Sequence, residues 1–348
     1  MNNRICFSLT CKSLFSRRDK YLLFNFDYDD SFHLNKHSFN EFYLRSFIEQ
    51  ALKSISGKTT LNLTDEIDID NVDIDQTIDY IRFEKKANLC RLEESFIEKL
   101  KKSNVTKLLL TNNVELNFQR FPNCIKTLKI GSFNVNMKLL PEELERLYYV
   151  SLGSPQVQPD CLPQSLTYLE ISGRYLTNNP VALPPKLLEL KLSSTEMEIN
   201  ESLPLPPQLS SVVIHSRWLN YFKSTTTITS MVLYLSNYTL KVGDIPECVR
   251  HLTLKLDYSS DTVELVHGLF PSKLETLIPE SFNGDLFVTC EQLFAKGCNQ
   301  LNKLILSAHY AHPLTDRSIP ASVESIDFDT YYQNVPIDFV LVGLRFDK

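Results

Sequence analysis

The sequence predicts an α/β solenoid, with one mainly parallel sheet laid down by short stacked coils and a helical cap at its N-terminus. Three observations carry this. A phrase of proline, two residues, an aliphatic, two residues, an aliphatic, one residue and an aliphatic recurs between Lys102 and Phe328. It recurs at a nearly constant interval. Helix signals gather before residue 103. The clearest copies are Pro122-Asn-Cys-Ile125-Lys-Thr-Leu128-Lys-Ile130, Pro163-Gln-Ser-Leu166-Thr-Tyr-Leu169-Glu-Ile171, Pro184-Pro-Lys-Leu187-Leu-Glu-Leu190-Lys-Leu192 and Pro320-Ala-Ser-Val323-Glu-Ser-Ile326-Asp-Phe328.

Each part of the phrase has a physical task. In the closing aliphatic-x-aliphatic triplet, strand alternation turns two side chains inward and the middle one outward. Proline has no amide hydrogen, so it ends the preceding loop and sets up the strand without entering the ladder. A single coil cannot stand alone. Burying one Leu or Ile gains ~1.5 to 3 kcal/mol, ordering costs ~1 to 2 kcal/mol per backbone residue, and the neighbouring coil must make up the difference.

Set on its first residue, the phrase falls at Lys102, Pro122, Pro141, Pro163, Pro184, Pro206, Thr225, Pro246, Pro271, Cys298 and Pro320, in steps of 20, 19, 22, 21, 22, 19, 21, 25, 27 and 22. A period of about 21 lies within the ~20 to 29 residues of leucine-rich-type repeats, which lay down one short strand per coil. The fold class is therefore a leucine-rich-repeat-like solenoid. The step of 27 has a local cause: Thr289-Cys-Glu-Gln292 is a capping-box pattern, Leu293 and Phe294 give an apolar side, and Gly297 can close a short inserted helix.

Three regions follow along the chain. Residues 1–57 read as an N-terminal helical region, residues 58–103 as degenerate first coils with a helix, and residues 104–348 as the repeat solenoid. Within the first, residues 4–16 suit a short helix. Between Ser38 and Gly57 a longer one is expected, because Ser38 and Glu41 form a capping box and Leu44, Ile48, Leu52 and Ile55 share a face. Leu61-Asn-Leu63 and Tyr80-Ile81-Arg-Phe83 look like early strands. The acidic run from Asp65 to Asp75 lacks the glycine and glutamate of an EF-hand at the required positions and reads as a solvated face. A second helix is expected over Leu89, Leu92, Phe96 and Leu100, with Lys99 to Lys102 suiting its C-terminal dipole.

Composition narrows the function classes. A net charge of −6 and a pI near 5.7 argue against a nucleic-acid binder. No apolar run approaches the ~18 residues that cross a bilayer, so no membrane partner is expected. Eight cysteines stand without CxxC spacing, which disfavours zinc and dithiol chemistry and suits small buried fillers in a reducing compartment. The apolar stretch from Ile5 to Cys11 is short for a signal peptide, is followed by Lys12, Arg17 and Arg18, and lacks a small-residue cleavage site. A cytoplasmic protein is the expectation. With nine glycines and no P-loop, GxGxxG, GxSxG or HExxH, the chain reads as non-enzymatic, with no cofactor and no metal. His309 and His312 have no third ligand at recognisable spacing, and Cys290 and Cys298 have no base beside them.

Two stretches resemble known families. Phe121-Pro122-Asn-Cys-Ile125-Lys-Thr-Leu128-Lys-Ile130-Gly131-Ser-Phe133-Asn134, Leu162-Pro163-Gln-Ser165-Leu166-Thr-Tyr-Leu169-Glu-Ile171-Ser-Gly173 and Ile319-Pro320-Ala-Ser322-Val323 resemble FNIP repeats, which are leucine-rich-like and often follow a shortened F-box-like segment. That resemblance covers roughly residues 120–330 and implies a solenoid with an interaction role and no catalytic residues. Leu9-Thr-Cys11-Lys12-Ser-Leu14-Phe15, followed by Arg18-Asp19-Lys20-Tyr21-Leu22, resembles the C-terminal half of an F-box, with Leu14 where many members carry Trp. It implies docking on the adaptor of a cullin-type ubiquitin ligase through Leu9, Cys11, Leu14 and Phe15. The residues by themselves favour an N-terminal helical cap on the solenoid, since terminal units must cover exposed core.

The candidate site is the row of middle residues in the triplets: Leu109, Lys129, Tyr148, Glu170, Lys191, Val213, Val232, Thr253, Ile278, Ile305 and Asp327. Lys129, Tyr148, Glu170 and Lys191, with Arg146, Tyr168 and Glu189 one register before, mix tyrosines with both signs of charge as protein-binding faces do. The expected partner-binding set is Lys129, Tyr148, Tyr168, Glu170 and Lys191. Val213, Val232, Ile278 and Ile305 are awkward on a wet face and predict either a covered surface or a second binding patch.

Overall fold

A computed structural model describes residues 59–64, 78–84, 90–110, 114–117, 120–131, 137–150, 162–172, 183–192, 204–235, 240–256, 268–280, 300–306 and 322–328, with Ile74, Gln76 and Tyr238. The helices expected over residues 4–16, 38–57 and 289–297, the acidic run before Ile74, and His309, His312, Cys290 and Cys298 lie outside the described residues.

The aliphatic pairs form strands where the phrase places them. β1 (Thr59–Thr64) and β2 (Ile78–Glu84) open the sheet, and both early strands expected from Leu61-Asn-Leu63 and Tyr80-Ile81-Arg-Phe83 are present. β3 (Cys90–Glu93), α1 (Glu94–Lys101), β4 (Lys107–Leu110) and β5 (Val114–Asn117) follow. The repeats then contribute β6 (Thr127–Ile130), β7 (Arg146–Val150), β8 (Tyr168–Ser172), β9 (Glu189–Leu192), β10 (Ser211–His215), β11 (Ser230–Leu235), β12 (His251–Leu256), β13 (Thr276–Glu280), β14 (Lys303–Leu306) and β15 (Ser325–Phe328). Thirteen of these make one sheet in the order β1-β2-β4-β6 and then consecutively to β15, while β3 and β5 make a separate two-stranded sheet. Every pair is parallel. This is a parallel β-solenoid.

Three inward ladders make the core. From β4 to β14 the two inward residues of the triplet are buried, for example Leu128 with Ile130, Leu169 with Ile171 and Leu190 with Leu192, while Ile326 of β15 is half-buried. So is the aliphatic three residues after the proline, as at Ile125, Leu144, Leu166, Leu187, Leu209, Val249 and Leu274. Successive coils stack like on like, so the apolar interior is continuous along the sheet.

Proline does more than end the loop. At Pro122, Pro141, Pro163, Pro184, Pro206, Pro246 and Pro271 its carbonyl accepts the amide of the residue three further on, at 3.1 to 3.3 Å. The fixed φ of proline suits such a turn, and the turn drives the following aliphatic into the core. One carbonyl of each coil then receives two amides from the next: Thr106 O accepts Lys126 N at 2.8 Å and Thr127 N at 3.0 Å, and the same pairing repeats at Lys126, Glu145, Thr167, Leu188, Ser210, Thr229, Arg250, Glu275 and Asn302. A small donor inside the turn ties it backward. The Ser165 hydroxyl lies 2.7 Å from Glu142 O and 2.6 Å from Leu144 O, and the Cys248 thiol donates to Thr225 O at 3.3 Å. Cys124 and Cys248 are thus half-buried turn donors, Cys124 donating to Leu100 O while packing against the core, rather than fully buried fillers.

Two local expectations are corrected. The helix expected from Leu89 starts only at Glu94, because Cys90–Glu93 pairs in parallel with Val114–Asn117. Leu92, Phe96 and Leu100 are all buried, but from two different elements. Phe96 packs edge-on to Phe83 of β2 at 5.6 Å between ring centroids, and Lys99 and Lys101 occupy the last helical turn as expected. The second difference is a short helical segment after β10. A 3-10 turn (Ser216–Trp218) runs into α2 (Leu219–Phe222), burying Trp218, Leu219 and Phe222 where the phrase implies a plain loop.

Candidate functional site

Register brings the middle residues together as alternation requires. Arg82 pairs with Leu109, Leu109 with Lys129, Lys129 with Tyr148, Tyr148 with Glu170 and Glu170 with Lys191. The row continues from Lys191 through Val213, Val232 and Thr253 to Ile278, and Ile305 pairs with Asp327. Two residues earlier, Lys107, Thr127, Arg146, Tyr168, Glu189 and Ser211 form a second row beside it.

The five expected partner-binding residues, with Arg146, form one connected cluster. The Arg146 guanidinium lies 4.1 Å from the Tyr168 ring centroid, and its Nε and Nη2 donate to the Tyr148 hydroxyl at 3.2 and 2.9 Å. The rings of Tyr148 and Tyr168 meet at 4.6 Å, tilted by 35°. Lys129 Nζ stands 5.6 Å from the Tyr148 ring centroid. At the other end the Tyr168 hydroxyl donates to Glu170 Oε2 at 2.9 Å, while Lys191 Nζ reaches Glu170 Oε1 at 2.9 Å.

Packing encloses one member of this set. Tyr148 points outward but is only 9% exposed, because Arg146, Lys129 and Tyr168 close around its ring. It is a packed anchor within the face, not a solvated side chain. Burial and the Glu170 carboxylate hold the Tyr168 phenol well above its usual range. Burial works against the Arg146 charge, yet the Tyr148 hydroxyl, Glu189 and Tyr168 outweigh it and raise the guanidinium further. The surface therefore presents a fixed cation stacked on aromatics beside an ion pair.

The apolar half of the row differs. Val213, Val232, Ile278 and Ile305 are half-buried. Along the next register, His215 stacks on Tyr234 at 5.1 Å and Lys255 Nζ stands 5.7 Å from that ring. His215, Tyr234 and Lys255 thus form a second cluster beside this strip. The alternating pattern gives no hint of His215 or Tyr234, since each falls after the triplet of its phrase. Leu9, Cys11, Leu14 and Phe15, proposed for adaptor docking, lie outside the described residues. Among the described residues no group of three His, Cys, Asp or Glu is placed to hold a metal, and no helix is long and apolar enough to cross a membrane.

No family model matches the chain, and no curated protein does. Among solved structures the chain is similar to the crystal structure of CroV588, described as a circular LRR protein, at 14% identity and a TM-score of 0.47, over 78% of this chain and 50% of that one. The chain thus spans half the length of that protein. The strand ladder makes it a parallel β-solenoid.

Proposed function

We propose that this chain is a non-enzymatic protein-interaction scaffold that binds its partner on the outward sheet face, through Lys129, Tyr148, Tyr168, Glu170 and Lys191. The observation that supports it is the Arg146–Tyr148–Tyr168 cluster. Rigid aromatic anchors and a stacked arginine, set on regular strands and ringed by polar groups, are the composition of interface hot spots. Such a surface loses little side-chain freedom on binding. The resemblance of the phrase to FNIP repeats supports the same role, and the placement is cytoplasmic.

The resemblance of residues 5–24 to half of an F-box supports a recruiting version, in which Leu9, Cys11, Leu14 and Phe15 dock on a ubiquitin-ligase adaptor and the sheet face presents the target. Affinity purification with mass spectrometry tests both levels. Lys129→Glu with Lys191→Glu reverses charge at partly exposed side chains and should remove the partner set while circular dichroism stays parental. Retention of every partner by that folded variant sinks the scaffold reading. Deletion of residues 1–24 should remove a ligase adaptor and leave the target bound; an adaptor absent from the parent sinks the recruiting version alone.

A further inference from the structure

We propose that the solenoid carries a joint between β13 and β14, at which the β14–β15 pair opens as one body from the sheet that precedes it. Pro279 makes the joint. It is a property of the strand ladder and stands apart from what the outward face binds.

Register shows the break. β12 pairs with β13 from His251 with Thr276 to Lys255 with Glu280, and β14 pairs with β15 from Lys303 with Ser325 to Leu306 with Phe328. Between β13 and β14 the pairing joins Thr276 to Lys303 and Leu277 to Leu304 and then stops. The strands themselves run on past that point, to Glu280 and to Leu306.

Hydrogen-bond direction gives the cause. In a parallel strand successive residues turn their backbone groups to alternate neighbours. Thr276 N donates back to Arg250 O at 2.9 Å, so Ile278 also faces β12, while Leu277 and residue 279 face β14. From the other side Lys303 N donates to Glu275 O at 3.1 Å, in the same phase. The next rung would carry the amide of residue 279 to the carbonyl of Ile305. Proline has no amide hydrogen, so the ladder ends before Ile278 and Ile305 can pair.

Among the described strands β13 alone contains a proline. Pro279 lies opposite Leu254 of β12 and is buried, so it fills the inward position that Ile171, Leu192, Leu254 and Leu306 hold in other coils. Apolar packing is kept and the hydrogen bond is lost. Prolines within sheets are confined to edges, and toward β14 this strand behaves as an edge.

The seam is asymmetric. At its start Glu275 O accepts both Asn302 N, at 3.0 Å, and Lys303 N. At its other end stands Pro279. Opening therefore swings on the Glu275 end and parts Ile278 from Ile305, neighbours in the outward row. Leu304 and Leu306 are fully buried, so the closed form is the resting one and the open form a minor excursion.

Amide hydrogen exchange of the full chain, read by mass spectrometry on peptic peptides, tests the joint. Peptides from β14 and β15 should exchange alike and ~10-fold or more faster than those from β11 and β12, because opening at one seam leaves the earlier ladder closed. Pro279→Val keeps an apolar inward residue and supplies the missing amide. It should slow exchange by ~2- to 10-fold, the equilibrium factor of one net hydrogen bond. The slowing should appear in β14 and also in β15, which lies a full strand beyond residue 279's neighbour. A smooth gradient of protection from β15 through β14 to β12 is end fraying and overturns the inference. So does protection of β14 and β15 equal to that of β12, or a folded Pro279→Val whose β15 exchange is unchanged. If that variant loses the parental circular dichroism spectrum, the step in the parent decides by itself.

Discussion

Replacing Tyr148 by alanine tests whether the outward face is a packed cluster or a wet one. A tyrosine buries ~150 to 250 Å² when fully covered, and this one is 9% exposed, so at ~25 cal/mol per Å² its truncation forfeits at most ~3.5 to 5.5 kcal/mol of burial. Its neighbours are long side chains on an open face and can partly collapse into the gap, which brings the expected loss to about 2 to 4 kcal/mol. Tyr148→Phe separates ring from hydroxyl. It keeps the contact with Tyr168 and removes the acceptor for two N–H groups of the half-buried Arg146, so ~0.5 to 1.5 kcal/mol is expected. Urea unfolding followed by far-ultraviolet circular dichroism measures both. A loss below ~0.5 kcal/mol for Tyr148→Ala, as at an exposed site, refutes the packed cluster. Equal losses for the two variants would instead place the stabilisation in the hydrogen bonds rather than the ring.

Leu169→Ala, inside the same strand pair and fully buried, should cost ~2 to 5 kcal/mol through a cavity, measured by the same unfolding assay. Ser165→Ala should cost ~1 kcal/mol by removing the donor that ties the Pro163 turn to the preceding coil, and Ser165→Cys should recover part of it. Because the Tyr168 phenol is raised in the folded chain, its contribution is complete below the unfolded value of ~10 and lost as pH rises through the folded one; Tyr168→Phe should therefore blunt unfolding on the alkaline side. Burial pushes the Cys124 and Cys248 thiols up in the same sense, so alkylation by N-ethylmaleimide near neutral pH should be slower in the folded chain than after denaturation.

Much of the solenoid was legible in the sequence because its determinants are local. A strand's inward and outward positions follow from a period of two, and the coil length follows from the spacing of the prolines, so Leu128, Leu169 and Leu190 could be assigned to the core and Lys129, Glu170 and Lys191 to the outer face. Alternation also fixed which residues would meet across strands, once each phrase was taken to hold the same position in its coil. What failed locally did so for a non-local reason. Cys90–Glu93 has helical spacing with the residues after it, but its hydrogen bonds go to Val114–Asn117 in the next coil. The turn at Trp218, Leu219 and Phe222 is apolar at helical spacing, but it is accommodated within a step of 19 residues, so the repeat interval does not reveal it.

The state of the outward face was decided by tertiary structure. Sequence alternation says that Arg146, Tyr148 and Tyr168 point to the same side; it does not say that Arg146 folds over Tyr168 and donates to Tyr148, leaving that ring nearly enclosed. That outcome depends on Tyr168 lying directly beside Arg146 on the adjacent strand, a pairing between residues more than twenty positions apart. The same holds for Cys124 and Cys248, whose burial could be guessed from residue type but whose place as turn donors depends on a carbonyl of the preceding coil. The sequence by itself determined the coil, its period and the direction of each side chain, because these follow from bonding within about ten residues. Only the stacking of coils decided which outward residues are solvent and which are anchors, because that depends on lateral neighbours about 4.8 Å away in space and a full repeat away in the chain.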